Sequence, residues 1–172
     1  MAQIYTLDGL VQPLDTKDNA VFFRKMCDLG SLAEKQIAQL LLNAHLSHVV
    51  AIHDVRPSHI DMELLDVYHD ETSTQETDIR MAVQQLHTIG VVYVDIKSDN
   101  FGYSHANGCW KLFDFDGSGL LKEGKLDEWE LAPANFYIYK RVAKQVKAEG
   151  RPLVDIDALA LESFFRKQTE YV

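Results

Sequence analysis

The amino-acid sequence predicts an α+β fold in two parts, a β-rich part over residues 1–68 and a mostly helical part over 69–172. Three observations carry this reading. Apolar residues alternate or cluster in short runs through the first part, as in half-buried strands, whereas in much of the second they recur every three or four positions, as on one face of a helix. The polar segment HDETSTQE (69–76) divides the two. With 172 residues and 47% hydrophobic content, the chain is about the size of one domain and can build a core.

The elements follow in order. IYTLDGLV (4–11) and AVFFRKM (20–26) read as short strands around the polar turn DTKDN, with Gly30 closing the region. Ser31-Leu32-Ala33-Glu34 is a capping-box pattern that opens a helix over 31–45, with Ala33, Ile37, Leu40, Leu41 and Ala44 at helical spacing. HVVAIHDV (48–55) and HIDMELLDVY (59–68), punctuated by Arg56-Pro57-Ser58, predict a hairpin in which Ile60, Met62 and Leu64 alternate. Ile79, Ala82, Val83, Leu86 and Ile89 describe an amphipathic helix stopped by Gly90. VVYV (91–94) then enters the loop VDIKSDN (94–100), and Asn107-Gly108 marks a tight hairpin between FGYSH and CWKLFDFD. An acidic loop over 117–130 and helices over 133–148 and 155–167 complete the chain.

Seventeen basic against 26 acidic residues give a formal charge of −9, which disfavours non-specific binding to nucleic acid or to an anionic membrane and suits cationic ligands such as divalent metals. Cys27 and Cys109 are far apart and lack zinc-type spacing, so reduced thiols are expected. His45, His48 and His87 have no acid or cysteine at ligand spacing and read as solvated or core residues. The N-terminal MAQIYTLDGL lacks the basic and apolar regions of a signal peptide, Ala2 replaces the glycine of a myristoylation signal, and no 18-residue apolar run exists. A cytoplasmic protein is the expectation.

The Asn107-Gly108 hairpin would bring Asp95, Lys97 and Asn100 near Asp114 at strand ends. Such a set suits phosphoryl transfer, which needs a carboxylate to orient an attacking hydroxyl, hard oxygen ligands for Mg²⁺ and a cation near the transferred group. Asp95, then Asn100 with Asp114, then Lys97 would fill those roles in that order.

YVDIKSDN followed by DFD resembles the catalytic loop HRDxKxxN and the metal-binding DFG of the protein kinase superfamily. The resemblance extends outward. AEKQIAQLLLNAHLSHVVAIHDV is similar to that family's αC helix and the strand after it, with Glu34 where the family pairs a glutamate with a lysine. HIDMELLD resembles the strand and hinge that hold adenine, which implies Met62 as gatekeeper and the backbone of Glu63 to Leu65 as adenine partner. DIRMAVQQLHTIGVVYVDIK looks like αE running into the catalytic loop, and LVDIDALALESFF like αF, with Asp155 where an aspartate braces that loop. For the cation on AVFFRKM, Lys25 fits with Phe23 over adenine, and Arg24 fits if the register slips by one. A compact ammonium suits phosphates in this role better.

The implied architecture is a two-lobed protein kinase-like fold with a minimal β-rich N-lobe (1–68) and a truncated helical C-lobe (69–172) ending near αF. The implied activity is that of a compact atypical Ser/Thr protein kinase using ATP and Mg²⁺, with Mn²⁺ as a substitute, on a protein hydroxyl. Several positions depart from the family pattern. Only Gly9 precedes the lysine-bearing strand, so the glycine-rich loop is absent or replaced; Tyr93-Val94 stands for His-Arg; Asp116 stands for the glycine of DFG; Ala132-Pro133-Ala134 resembles APE without its glutamate. These departures keep two alternatives open: a pseudokinase-like module that binds and regulates a partner kinase or substrate, and a kinase-like phosphotransferase for small molecules. A protein substrate or partner kinase is expected in either protein-directed case, and a homodimer would cover an exposed helical face. The acidic stretch KEGKLDEWE (122–130) would favour a basic target, and Trp110 is expected in the core.

Overall fold

The structure is a computed structural model, described over residues 5–6, 9–13, 21–27, 32–133 and 137–169. It is a mixed α+β fold with three small sheets and four α-helices among those residues. The strands β1 (Tyr5–Thr6), β2 (Gly9–Pro13), β3 (Val21–Met26), β4 (Ile52–Val55) and β5 (His59–Glu63) form one antiparallel sheet in the order β1-β2-β3-β5-β4. Helix α1 (Leu32–Ala44) packs against it beside β4. The predicted serine cap, Ser31, lies outside the described residues, as do Gly30 and the turn DTKDN.

Alternation along β3 decides which face each side chain takes. Phe23 and Lys25 lie opposite Met62 and Ile60 of β5, whereas Arg24 lies opposite Asp61 on the other face and binds its carboxylate through Nε and Nη2 at 2.6 and 2.7 Å. On α1 the buried stripe is Glu34, Ile37, Ala38 and Leu41, and Leu40, expected on that stripe, is exposed at its edge.

Helix α2 (Gln75–Thr88) buries Ile79, Ala82, Val83 and Leu86 as their spacing predicts. The short strand β6 (Val91–Val92) follows, and the hairpin of β7 (Phe101–Ser104) and β8 (Cys109–Leu112) turns at Asn107-Gly108, with Gly108 at φ +65°. Residues 117–130 are not wholly a loop: β9 (Gly119–Leu121) and β10 (Trp129–Leu131) pair with each other, and β9 pairs with β6. The apolar ends of that acidic stretch, Leu120, Leu121, Trp129 and Leu131, supply strand residues that its charged middle conceals. The expected strand over 59–68 likewise stops at Glu63, and only Asp66 returns to sheet-like pairing, with Tyr103. Helices α3 (Tyr137–Ala148) and α4 (Asp155–Thr169) end the described fold. None of these helices is long and apolar enough to cross a membrane.

The buried core runs across the polar segment 69–76 without a break. Ile37, Ile60 and Met62 from before it and Ile79, Leu86 and Leu112 from after it belong to one cluster. A second cluster, containing Val92, Val94, Val142, Val146 and Ile156, sits under α3 and α4. The backbone stitches the parts together as well: Val50 N donates to Leu112 O at 2.9 Å, and Leu112 N donates to His48 O at 3.1 Å.

Gly102 on β7 is packed directly under Leu65. A Cβ at position 102 would lie 2.6 Å from the Leu65 Cβ, an atom that cannot swing away without moving backbone. Gly102→Ala is therefore expected to destabilise the fold by about 1–3 kcal/mol. Urea unfolding reads this as a lower midpoint, and an unchanged midpoint contradicts the close packing.

Candidate active site

The loop VDIKSDN begins with a strained turn. Val94 has φ +71°, a left-handed conformation that a β-branched residue adopts only under constraint. The constraint comes from Asp157, whose side chain is wholly buried: Oδ1 accepts from Val94 N at 2.6 Å and Oδ2 from Tyr93 N at 2.9 Å. His87 Nε2 lies 2.7 Å from the same Oδ2. Ser118 Oγ donates to Tyr93 O at 3.1 Å, and the Tyr93 hydroxyl donates to Phe113 O. Burial raises the pKa of that phenol well above its ordinary value, so it remains a donor.

This corrects two expectations. Asp155 does not brace the loop but pairs with Arg151 at 2.7 Å; Asp157 takes the bracing position. Helical periodicity holds the signal, because Asp157 lies three and four residues before the buried Ala160 and Leu161 and Asp155 does not. His87 and His48 do have acidic partners, Asp157 at 2.7 Å and Asp78 at 3.6 Å, both remote in sequence and so invisible to local spacing.

Beyond the turn, Asp95, Lys97 and Asn100 are in contact. Lys97 Nζ lies 2.8 Å from Asp95 Oδ2, a bond that raises the lysine pKa. The buried Asn100 closes a short 3₁₀ turn (Ser98–Asn100) and donates through Nδ2 to Asp95 O at 3.0 Å and Asp95 Oδ2 at 3.1 Å. With its nitrogen engaged there, the amide oxygen is the atom Asn100 can offer a cation. Asp114 joins this group through the main chain, where Phe113 N donates to Asn100 O at 3.1 Å. Asp114 itself has φ +63°, so the left-handed residue of the DFD turn is its first aspartate and not Asp116.

Lys25 closes the other side. Its Nζ lies 2.6 Å from Glu34 Oε1, 2.8 Å from Asp114 Oδ1 and 3.2 Å from Asp116 Oδ2. This geometry selects Lys25 over Arg24, which points to the opposite face and binds Asp61. Burial weakens the ammonium, but Glu34 and then Asp114 outweigh it and raise the Lys25 pKa. Three carboxylates around one lysine are in excess. Glu34, only 2% exposed, has its pKa pushed up to about 8, by burial first and then by hydrogen bonding to Asp116. Two carboxylates share a hydrogen bond only when one carries a proton. Among the described residues, Glu34 Oε2 is the buried side-chain atom without a partner, and a proton on Glu34 supplies the missing donor. Burial opposes the Asp116 carboxylate, but that bond and Lys25 hold its pKa below the ordinary value.

The remaining predicted residues lie in β5 and directly after it. Met62 is buried in β5 opposite Phe23. Glu63 donates its amide to Ala51 O at 2.8 Å, and its carboxylate, held below its ordinary pKa against burial by Lys111 and Ser104, lies 2.8 Å from Lys111 Nζ. Leu65 packs on Gly102. Trp110 is buried, and its indole donates to Thr72 Oγ1 at 2.9 Å.

The donor set fits a hard cation: the Asn100 amide oxygen and the Asp114 carboxylate are oxygen ligands of the kind Mg²⁺ takes. The arrangement can hold a metal-bound polyanion, present a carboxylate to a hydroxyl at Asp95, and set one ammonium on each side, Lys25 and Lys97.

No protein-family model matches the chain. A stretch of 49 residues, 28% of the chain, is 41% identical to the serine/threonine-protein kinase ppk6 of Schizosaccharomyces pombe, of which it spans 6%. The similarity is thus to a short part of a much longer protein, and it is kinase-like.

Two outcomes follow from the geometry. Asp157→Ala leaves two buried amides without acceptors, at about 1–3 kcal/mol each, so urea unfolding should show a loss of roughly 2–6 kcal/mol. A loss below about 1 kcal/mol contradicts the bracing role. Glu34 holds in the folded chain a proton that the unfolded chain, with an ordinary glutamate pKa of about 4.3, releases. Its contribution to stability is present below that value and is lost as pH rises towards 8. The wild-type urea midpoint should fall between about pH 5.5 and about pH 8.5 more steeply than that of Glu34→Gln. Parallel profiles contradict the protonated glutamate.

Proposed function

We propose that this chain is a compact phosphotransferase of the protein kinase type, moving the γ-phosphoryl group of ATP to a serine or threonine hydroxyl of a protein. The observation that supports it most is the pairing of two sets drawn from separate parts of the chain. Asp95, Lys97 and Asn100 are in mutual contact on one loop, and Lys25 Nζ lies 2.6 Å from Glu34 Oε1 and 2.8 Å from Asp114 Oδ1 beside it. The short kinase similarity agrees in kind.

In this reading Asp95 orients the acceptor hydroxyl and takes its proton as the oxygen attacks the γ-phosphorus, the bond from that phosphorus to the β–γ bridging oxygen breaks, and ADP leaves. Lys97, already beside Asp95, sets its charge against the oxygens of the transferred group. Lys25, positioned by Glu34, binds the α and β phosphates. Asn100 and Asp114 would hold Mg²⁺ or Mn²⁺, which neutralises charge on the phosphates. Met62 lines the adenine pocket as gatekeeper, and the backbone from Glu63 to Leu65 meets the adenine edge. The excess of acidic residues favours a basic substrate segment.

Two observations favour a second reading, a nucleotide-binding or partner-binding module with little turnover: Lys25 is surrounded by three carboxylates, and Gly9 alone precedes its strand. Radiolabelled ATP with Mg²⁺ or Mn²⁺ separates the two. Wild type should label itself or a basic protein substrate, Asp95→Asn should lower the rate by on the order of 10²-fold or more, and Asp114→Ala should abolish metal-dependent labelling. ATP binding without labelling supports the second reading, and labelling unchanged in both variants removes the phosphotransfer assignment.

A further inference from the structure

We propose a transition-metal site formed by Asp66, His69 and His105, residues to which the phosphotransfer reading gives no role. One ligand atom from each lies within 4.8 Å of the others. Asp66 Oδ2 is 3.0 Å from His105 Nε2 and 3.7 Å from His69 Nδ1. A tetrahedral Zn²⁺ with bonds of about 2.0–2.1 Å sets its ligand atoms about 3.3 Å apart. The two measured separations bracket that edge, so a metal can replace the hydrogen bond with small side-chain movements.

The three residues are held in place before any metal arrives. Asp66 is bridged to β7 by two backbone bonds with Tyr103, each 2.9 Å, and its other carboxylate oxygen accepts from Tyr68 N at 3.1 Å. The His69 ring stacks on Tyr103 with centroids 4.0 Å apart and planes 13° from parallel, and it meets the edge region of His105 at 5.4 Å. His105 starts the turn directly after β7, a turn closed by Gly108 N donating to Ser104 O at 2.7 Å. His105 is 66% exposed at its side chain, which leaves the remaining coordination position open to water or to a ligand from a partner.

Two imidazoles and one carboxylate form a borderline nitrogen and oxygen set that suits Zn²⁺, whereas Mg²⁺ and Ca²⁺ prefer oxygen alone. A bound Zn²⁺ would clamp the segment that leaves β5 to the turn of the β7–β8 hairpin. The opposite end of that hairpin carries Asn100 and Asp114. Such a metal would stiffen the hairpin that carries Asn100 and Asp114, and none of its three ligands is among the reacting groups.

The test uses the full chain, free of any histidine tag, with Co²⁺ as spectroscopic probe and Zn²⁺ as competitor. Wild type should bind one Co²⁺ with the strong visible absorption of a four- or five-coordinate site, and one Zn²⁺ should displace it. His105→Ala and His69→Ala should each weaken Zn²⁺ by about tenfold or more, and the exposed control His53→Ala should bind as wild type does. Zn²⁺ should also raise the melting temperature of wild type and not of His105→Ala, whose circular dichroism confirms folding. Equal affinity in wild type and His105→Ala, or Co²⁺ that keeps the weak spectrum of the hydrated ion, overturns the proposal.

Discussion

The Asp157 carboxylate, sealed from solvent, is the constraint around which the candidate site is organised. A buried carboxylate is costly unless its lone pairs are filled, and here main-chain amides of Tyr93 and Val94 and the ring of His87 fill them. The same bonds keep Val94 in a conformation that its branched side chain resists. Strain and its remedy therefore sit together. Because Tyr93 also donates to Phe113 O, the anchor at α4 reaches the residue before Asp114, and one buried acid is linked to the backbone before both Asp95 and Asp114.

The Lys25 cluster is the electrostatic counterpart. Glu34 from α1 and Asp114 and Asp116 from the turn after β8 meet one ammonium, so the sheet, the helix and the hairpin are linked by charge where the core links them by packing. Three carboxylates exceed what one lysine neutralises, and the proton on Glu34 relieves the excess. Burial is the larger cause of that proton and the hydrogen bond to Asp116 the second, so the DFD turn acts on the charge state of a residue on another element.

The sequence exposed what depends on short-range chemistry. The spacing of Asp95, Lys97 and Asn100, the Asn107-Gly108 turn and the 3.6-residue period of α2 each follow from residues close in the chain, and each is met in the structure. Choices that rest on tertiary partners were not legible. Asp155 and Asp157 differ locally by two positions, and only the face buried by α4 separates their roles. The strands β9 and β10 were hidden because segments as short as Gly-Leu-Leu and Trp-Glu-Leu cannot declare a strand until β6 offers an edge to β9, and β9 one to β10. His69 and His105 are 36 residues apart, and stacking on Tyr103 together with the Asp66 bridge brings them together.

In the proposed reading, Asn100 and Asp114 share a metal-bound nucleotide with Lys25 and Asp95. Crystals grown with a non-hydrolysable ATP analogue and Mn²⁺, with anomalous scattering used to locate the metal, address it directly. The account predicts a manganese peak within bonding distance, about 2.0–2.3 Å, of the Asn100 amide oxygen and an Asp114 carboxylate oxygen, with the α and β phosphates on Lys25. Nucleotide found elsewhere on the molecule, or metal bound away from both residues, contradicts it.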